Sequence, residues 1–152
     1  MKSSIKFPVY LFLMLCFGAV AAKAQAAPDY KITSVKIVPY EQTTGKFEDE
    51  IKLNDERGFF NDLSKALFVT VEITGKPESY EAKRQVEITV TEGAKVKSKK
   101  IFMSGILNEK GKFYFPMWID APMCSEVKIT ARITGQKTAS TITRKVAFQC
   151  GE

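Results

Sequence analysis

The feature that most constrains this chain is an apolar period of two, which recurs through most of the sequence after residue 30. The clearest stretch reads LFVTVEI at 67–73, where Leu, Val, Val and Ile occupy every second position. This alternation places one set of side chains on a single face of a β-strand. Shorter alternating runs lie at 30–38, 86–90, 112–119 and 127–148. We therefore predict an all-β protein with about seven strands.

Three segments lack a clear period of two. Pro39 to Lys46 is polar and predicts a loop, and Phe47 to Leu53 predicts a short strand. Asn54 to Ala66 has apolar residues at helical spacing but also contains Gly58, so we expect a loop with one or two helical turns. No internal repeat or change in composition divides the chain, which indicates one domain.

Three turns predict three hairpins, and counting outwards from each turn gives the residues that oppose one another. The predicted turns are 92–94, 108–111 and 136–139. The opposed pairs that would face the core are Val90 with Val96, Phe102 with Met117, and Ile133 with Ile142.

Two cysteines, Cys124 and Cys150, lie at the open end of the last predicted hairpin. Its register brings them within one residue of direct opposition, a mismatch that a β-bulge or fraying removes. Two of the three cysteines remain once a predicted N-terminal signal peptide takes Cys16 with it, and an even number in an exported chain indicates a disulfide. We therefore predict a Cys124–Cys150 bridge, whose loop of about 26 residues stabilises the fold by roughly 3 kcal/mol. No metal site is expected, because two distant thiolates without histidine fall short of four ligands.

Strand count and turn spacing favour an antiparallel two-layer β-sandwich. In these respects residues 30–150 resemble the immunoglobulin-like and fibronectin-like domains of exported bacterial proteins. The resemblance implies an architecture and is carried by no specific motif. The Cys…Trp…Cys order of true immunoglobulin domains is absent, because Trp118 precedes both Cys124 and Cys150.

The N-terminus has the pattern of a secretory signal peptide. Two lysines precede an apolar stretch from Val9 to Ala22, and small residues then give two A-x-A cleavage patterns. A membrane anchor is the alternative, but a spanning helix needs about 20 apolar residues and this stretch ends earlier. We predict a signal peptide at 1–26 that takes Cys16 with it, and a single domain at 27–152. The expected location is periplasmic or extracellular, without stable membrane insertion.

Net charge gives little support to a nucleic-acid partner. The predicted signal peptide holds three lysines and no acid, so its removal lowers the formal net charge from +6 to +3. A charge this small, with no run of arginines, predicts weak attraction to nucleic acid.

The sequence also argues against catalysis. Histidine is absent from the whole chain, which excludes Ser-His-Asp and Cys-His arrangements. No phosphate-binding or dinucleotide-binding motif occurs, so we expect no cofactor. The acidic run Glu48-Asp49-Glu50 is a candidate for carboxylate catalysis of the kind that glycosidases use. Three adjacent acids are more typical of a solvated loop, so we expect no enzyme activity.

A row of lysines is the first candidate for binding. In the register of the second predicted hairpin, Lys95, Lys97 and Lys99 lie on one strand face, and Lys100 extends the charge. Such a row suits an anionic lipid head group or an acidic glycan. The alternative is a solvated face whose lysines discourage aggregation through the strand edge.

Two aromatic residues are the second candidate. Tyr114 and Trp118 share a strand face about 13 Å apart, and the opposite face already has enough apolar residues for the core. They would form a platform for sugar rings or a protein partner, on the same face as the lysines. Pro116 between them lacks an N–H, which predicts an edge strand or a bulge. Alternatively, the loop that carries Phe59 and Phe60 covers them as a minor core.

These features favour an exported, non-enzymatic binding module whose partner, a protein or a glycan, is not specified by the sequence. An accessory or inhibitor subunit that docks to another exported protein through a strand edge is the alternative. A small hydrolase that uses carboxylates is a third and weaker possibility.

Cleavage of the signal peptide can be tested directly. Because the two A-x-A patterns end at Ala24 and Ala26, we expect the exported protein to begin at Ala27, or at Gln25 if the earlier pattern is used. Intact-mass measurement of the exported fraction distinguishes these two termini. A mass that still includes residues 1–22 would show that the segment is retained.

Overall fold

The computed structural model describes residues 29–53, 55, 58–60, 64–103, 108–120 and 122–150. The predicted signal peptide lies outside the described residues. The described residues contain no helix, and therefore none that is long and apolar enough to cross a membrane. They form nine strands, which are β1 Lys31–Glu41, β2 Lys46–Phe47, β3 Gly58–Phe60, β4 Lys65–Thr74, β5 Gln85–Glu92, β6 Lys95–Met103, β7 Lys112–Ile119, β8 Val127–Thr134 and β9 Ser140–Gln149.

The strands form two sheets. The four-stranded sheet has the order β2-β1-β4-β7, and the five-stranded sheet has the order β3-β9-β8-β5-β6. The prediction of an all-β chain is confirmed. The expectation of purely antiparallel pairing is wrong at one place, because β3 runs parallel to β9. The chain leaves the edge of the first sheet after β2 and reaches the edge of the second beside β9, in the same direction as β9.

One hydrophobic core lies on the inner faces of both sheets. The alternation at 67–73 is confirmed, since Leu67, Val69, Val71 and Ile73 are all fully buried. The five-stranded sheet contributes every second residue of its central strands in the same way. These buried residues are Val86, Ile88, Val90, Val127, Ile129 and Ala131.

The first strand is longer than the sequence indicates. β1 continues through Pro39 to Glu41, where we expected a loop, because β4 pairs with it as far as Lys65. The carbonyl oxygens of Ile37 and Pro39 accept bonds from the backbone N–H groups of Ile51 and Glu48. The side of Pro39 without an N–H therefore faces away from β4, and the proline removes no bond of that ladder.

The two segments that follow also differ from expectation. Of the strand predicted at 47–53, only Phe47 lies in a strand, as the second residue of β2, after which the chain follows the edge of β1 without a regular ladder. The helical turns predicted within 54–66 are not found in its described residues. Instead β3 places Phe59 in the core, where its ring lies 5.7 Å from that of Phe148.

The second predicted hairpin is wrong, because its two strands lie in different sheets. β6 pairs with β5, and β7 pairs with β4, so that Met117 opposes Val69 and not Phe102. The predicted faces of β7 are nevertheless right from Phe115 onward, with Phe115 and Met117 buried. Face assignment depends on the local period of two, whereas pairing depends on where the loop leads the chain.

The other two hairpins form, with altered registers. At the first, a bulge between Val90 and Thr91 sets Val90 opposite Ser98, and Val96 is left exposed. At the last, Ile133 opposes Ser140 and not Ile142, a shift of two residues. A shift of two keeps each side chain on its predicted face.

The predicted disulfide is confirmed. Cys124 and Cys150 are joined, with their Cα atoms 4.7 Å apart. The bridge lies just outside the paired region of β8 and β9, which ends at Val127 and Val146. It therefore ties the segment before β8 to the end of the chain.

The turn between β8 and β9 provides a stability test. Gly135 has a φ of 76°, and a Cβ atom added there would overlap the carbonyl oxygen of Lys83. Gly93 has a φ of 56° but has open space around it. We expect Gly93→Ala to cost about 1–2 kcal/mol for the left-handed backbone alone. Gly135→Ala should cost about 1–3 kcal/mol more because of the overlap.

Chemical denaturation of the two variants measures this difference. Equal losses of unfolding free energy would show that β8 and its turn do not pack against Lys83 as described.

Candidate binding face

Tyr114 and Trp118 lie on the outer face of the four-stranded sheet. Their side chains are 48% and 43% exposed, respectively. β7 is an edge strand, as Pro116 predicts. Phe59, which we considered as a cover for these aromatics, is buried in the core beside β9 instead. The side chain of Phe60, the other residue of that alternative, lies outside what the structure describes.

Three further aromatic side chains surround Trp118. Phe68 on β4 opposes it directly, with ring centroids 6.1 Å apart. Tyr40 on β1 approaches to 5.1 Å, and Phe47 on β2 to 6.2 Å. We refer to Tyr40, Phe47, Phe68 and Trp118 as the aromatic face.

The rings of the aromatic face pack edge to face. The interplanar angles are 65° for Tyr40 with Trp118 and 88° for Phe47 with Trp118. This is the geometry that aromatic quadrupoles favour, so the four rings hold one another in place. Phe47 and Trp118 nevertheless remain exposed, at 58% and 43%, whereas Tyr40 and Phe68 are partly buried.

A small residue allows the rings to meet across β4. Ala66 opposes Tyr40 and lies two residues from Phe68, on the same outer face. It is fully buried, although no second layer of strands covers this face in the described residues. The neighbouring side chains therefore cover Ala66, and its short side chain leaves room for Tyr40 to reach Trp118.

Tyr114 lies at the other end of the same face. It opposes Glu72, whose carboxylate pairs with Lys112 at 3.1 Å. The bond from Lys112 lowers the pKa of Glu72 below its ordinary value. Tyr114 thus has a charged pair for a neighbour, and Trp118 has aromatic rings.

The lysine row does not share a face with Trp118. Lys95, Lys97 and Lys99 lie on β6 in the five-stranded sheet, because the hairpin that would have joined them to β7 does not form. Lys97 pairs with Glu92 at 2.8 Å, and Lys99 pairs with Glu87 at 3.0 Å. Two of the three charges are therefore matched within the sheet. β6 is an edge strand, which favours the protective role for its lysines.

Glu92 gives Lys97 a structural role. One carboxylate oxygen of Glu92 faces Lys97, and the other accepts the backbone N–H groups of Cys124 at 2.6 Å and Ser125 at 2.9 Å. The bond from Lys97 and these backbone bonds lower the pKa of Glu92 to about 2. The pair thus holds the segment that carries the disulfide against β5.

The acidic run at 48–50 does not converge on one site. Glu48 pairs with Lys65, which also lies 2.7 Å from Glu41. Asp49 is exposed, and Glu50 lines a cavity on the other side of the segment. Among the described residues, no group of three or more Asp, Glu or Cys side chains is placed to hold a metal ion.

The sequence contains a signal for only one of the three aromatics that we did not select. Phe68 is out of phase with the core residues of its own strand, as Trp118 is in β7. Tyr40 lies in a segment expected to be a loop, so its position on a sheet face was not visible. Tyr40 approaches Trp118 because β1 and β7 pair with opposite edges of β4, and the spacing of residues does not predict that pairing.

Comparison of the sequence with protein-family models finds no match, and comparison with curated proteins finds none either.

The role of Glu92 predicts a pH dependence of stability. Its folded pKa of about 2 lies below its ordinary value of 4.5, so its contribution is complete above 4.5 and is lost as pH falls toward 2. We expect Glu92→Gln to be less stable than wild type at neutral pH, with the difference shrinking across that interval. Urea unfolding from neutral to acid pH measures the difference.

Glu126→Gln is the matched control. Glu126 pairs with Lys145 at 3.0 Å, and both side chains are more than half exposed. Such a pair contributes at most about 1 kcal/mol. A Glu92→Gln variant that differs from wild type by the same amount at every pH would contradict the role given to this carboxylate.

Proposed function

We propose that this chain is an exported, non-enzymatic binding module and that its ligand lies on the aromatic face. The observation that carries the proposal is a cluster of four packed rings, with Phe47 and Trp118 exposed and the other two partly buried, on a sheet whose inner side already supplies the core. Exposed apolar clusters of this kind mark interaction sites, because leaving them in water is unfavourable. Tyr114 and its charged neighbours extend the surface toward the other end of β7.

A glycan is the ligand class that we propose. Sugar rings present C–H faces that stack on aromatic side chains, and their hydroxyl groups need polar partners nearby. Such partners lie at one end of the outer face, where the Glu72–Lys112 pair adjoins Tyr114. A protein partner would use the same rings, and the experiment below separates the two.

We also propose that the two sheets form a sandwich of immunoglobulin-like or fibronectin-like architecture. The shared core of the two inner faces supports this architecture. The parallel pairing of β3 with β9 is a feature that any such assignment has to accommodate.

Export is part of the same proposal. The N-terminal pattern of charged, apolar and small residues supports cleavage and secretion. The Cys124–Cys150 bridge supports an oxidising compartment, since cytosolic thiols are kept reduced.

Docking through a strand edge is the second candidate function. β6 and β7 are the long edge strands of their sheets, and they lie close together, with the Phe102 and Phe115 rings 5.1 Å apart. An added strand from another protein could pair with either edge. Pro116 removes a donor from β7, however, and lysines occupy β6, so both edges carry features that discourage pairing.

Replacing Trp118 tests the proposed function. Trp118→Ala removes the ring that contacts the other three members of the aromatic face, so we expect capture on a glycan array to be lost. We expect a stability cost of about 1–3 kcal/mol, because the side chain is only partly buried. A fully buried aromatic would cost about 3–5 kcal/mol.

Ile101→Ala is the matched control, since Ile101 is 51% exposed on β6 of the other sheet. It should retain the glycans that wild type captures. If both variants lose capture, or neither does, the aromatic face is not the binding surface. If wild type captures no glycan but retains a protein from the exported fraction in a manner that Trp118→Ala abolishes, the ligand is a protein. If Ile101→Ala loses a protein that Trp118→Ala retains, docking through the edge of β6 is favoured.

A further inference from the structure

A cavity of about 320 Å³ opens between β1 and β9, away from the aromatic face. Its apolar walls include Val35, Ile142 and Leu53. Val35 is buried, whereas Leu53 lies at the mouth and is 80% exposed. The volume lies at the lower end of the range for small-molecule sites, which are mostly apolar with a few placed polar groups.

A buried guanidinium group lines this cavity. Arg144 is only 8% exposed, and its two terminal nitrogens donate to the carbonyl oxygens of Val35 at 2.9 Å and Ile51 at 2.8 Å. Both acceptors are neutral. Within the part of the chain that the structure describes, no carboxylate forms an ion pair with Arg144. A buried charge without a counter-ion is unfavourable, and three of its five N–H donors remain for another acceptor.

Ser34, which also lines this cavity, has a buried hydroxyl group without a partner. The Oγ atom of Ser34 is shielded from solvent and makes no hydrogen bond. Ser34 follows the irregularity in β1 where the register with β4 shifts between Ile32 and Ser34. A buried hydroxyl left unbonded is unfavourable, so an acceptor or donor supplied by a ligand would stabilise it.

The charges around the cavity favour an anion. Lys36 and Lys52 join Arg144 among the lining residues, against the single carboxylate of Glu50. The apolar walls, in contrast, favour a hydrocarbon group. A ligand that satisfies both has a negative head and an apolar tail.

We propose that this cavity binds a small organic carboxylate with an apolar chain. The carboxylate accepts hydrogen bonds from the free N–H groups of Arg144, and the Ser34 hydroxyl donates to it after its side chain turns toward the cavity. The chain lies against Val35, Ile142 and Leu53. This inference is independent of the aromatic face, because the cavity shares no residue with it.

Octanoate is the probe for the test, with the full mature protein. Titration followed by amide NMR shifts should show saturable binding, with the largest shifts at residues 33–36 and 142–144. Octanol and octylamine have the same chain with a neutral or a positive head. Each should bind at least about tenfold more weakly, the difference expected for losing a charge-assisted hydrogen bond.

Variants locate the site. Ile142→Phe fills the cavity and should abolish octanoate binding, whereas Thr141→Phe adds the same ring at an exposed position of β9 and should not. Ser34→Ala should weaken binding by about threefold to tenfold. Trp118→Ala should leave octanoate binding unchanged, which separates this site from the proposed function.

Any one of three results would overturn the proposal. The first is the absence of saturable octanoate binding by folded protein at millimolar concentration. The second is equal binding of octanol and octanoate, and the third is a set of shifts that lie outside the cavity. If Ile142→Phe fails to fold, the Ser34→Ala variant and the shift pattern still decide the location.

Discussion

Burial of one face of every central strand in a single core is the constraint on which the rest of the structure depends. β4 illustrates it, because its odd-numbered residues from Leu67 to Ile73 are fully buried, so that its other face must be turned outward. On that outer face the sequence places Phe68, and β7 places Trp118 opposite it. The aromatic face is therefore a direct consequence of strand parity, and only a partner outside the described residues could cover it.

Polar side chains connect the parts that the core does not hold. Arg144 bonds two carbonyl groups, one on β1 and one in the segment that follows β2. Glu92 holds the segment with Cys124 against β5. Each contact joins residues far apart in sequence, so these two side chains help to fix the positions of irregular segments. A ligand that accepts hydrogen bonds from the remaining donors of Arg144 would stabilise these segments further.

The local pattern of residues was enough to predict which face of most strands is buried. The stretch at 67–73, the buried residues of β7 and the Cys124–Cys150 bridge follow from the period of two and from cysteine spacing. The pairing of strands was less accessible. The loop between β6 and β7 leads from one sheet to the other, and nothing in its turn residues distinguishes this from a hairpin. The lysine row was consequently assigned to the wrong sheet.

The composition of the candidate binding face was only half visible for the same reason. Tyr114 and Trp118 stand out within one strand, where parity alone separates them from the core. Tyr40 and Phe47 belong to strands that flank an unpredicted turn, and they reach Trp118 only because β1 pairs with β4 in this register. A site built from several strands can be predicted only when the pairing of those strands is known. That pairing depends on burial across both sheets and is not encoded in any single segment.

The central claim is that the aromatic face is open to solvent in the free protein and is covered when a ligand binds. Trp118 is the only tryptophan in the chain, so its fluorescence reports on this face alone. Acrylamide quenching of the folded protein, measured with and without a saturating glycan selected on an array, tests the claim most directly. The account predicts efficient quenching in the free protein and strong protection in the complex. Emission that acrylamide cannot quench in the free protein, or quenching that the bound glycan leaves unchanged, would contradict it.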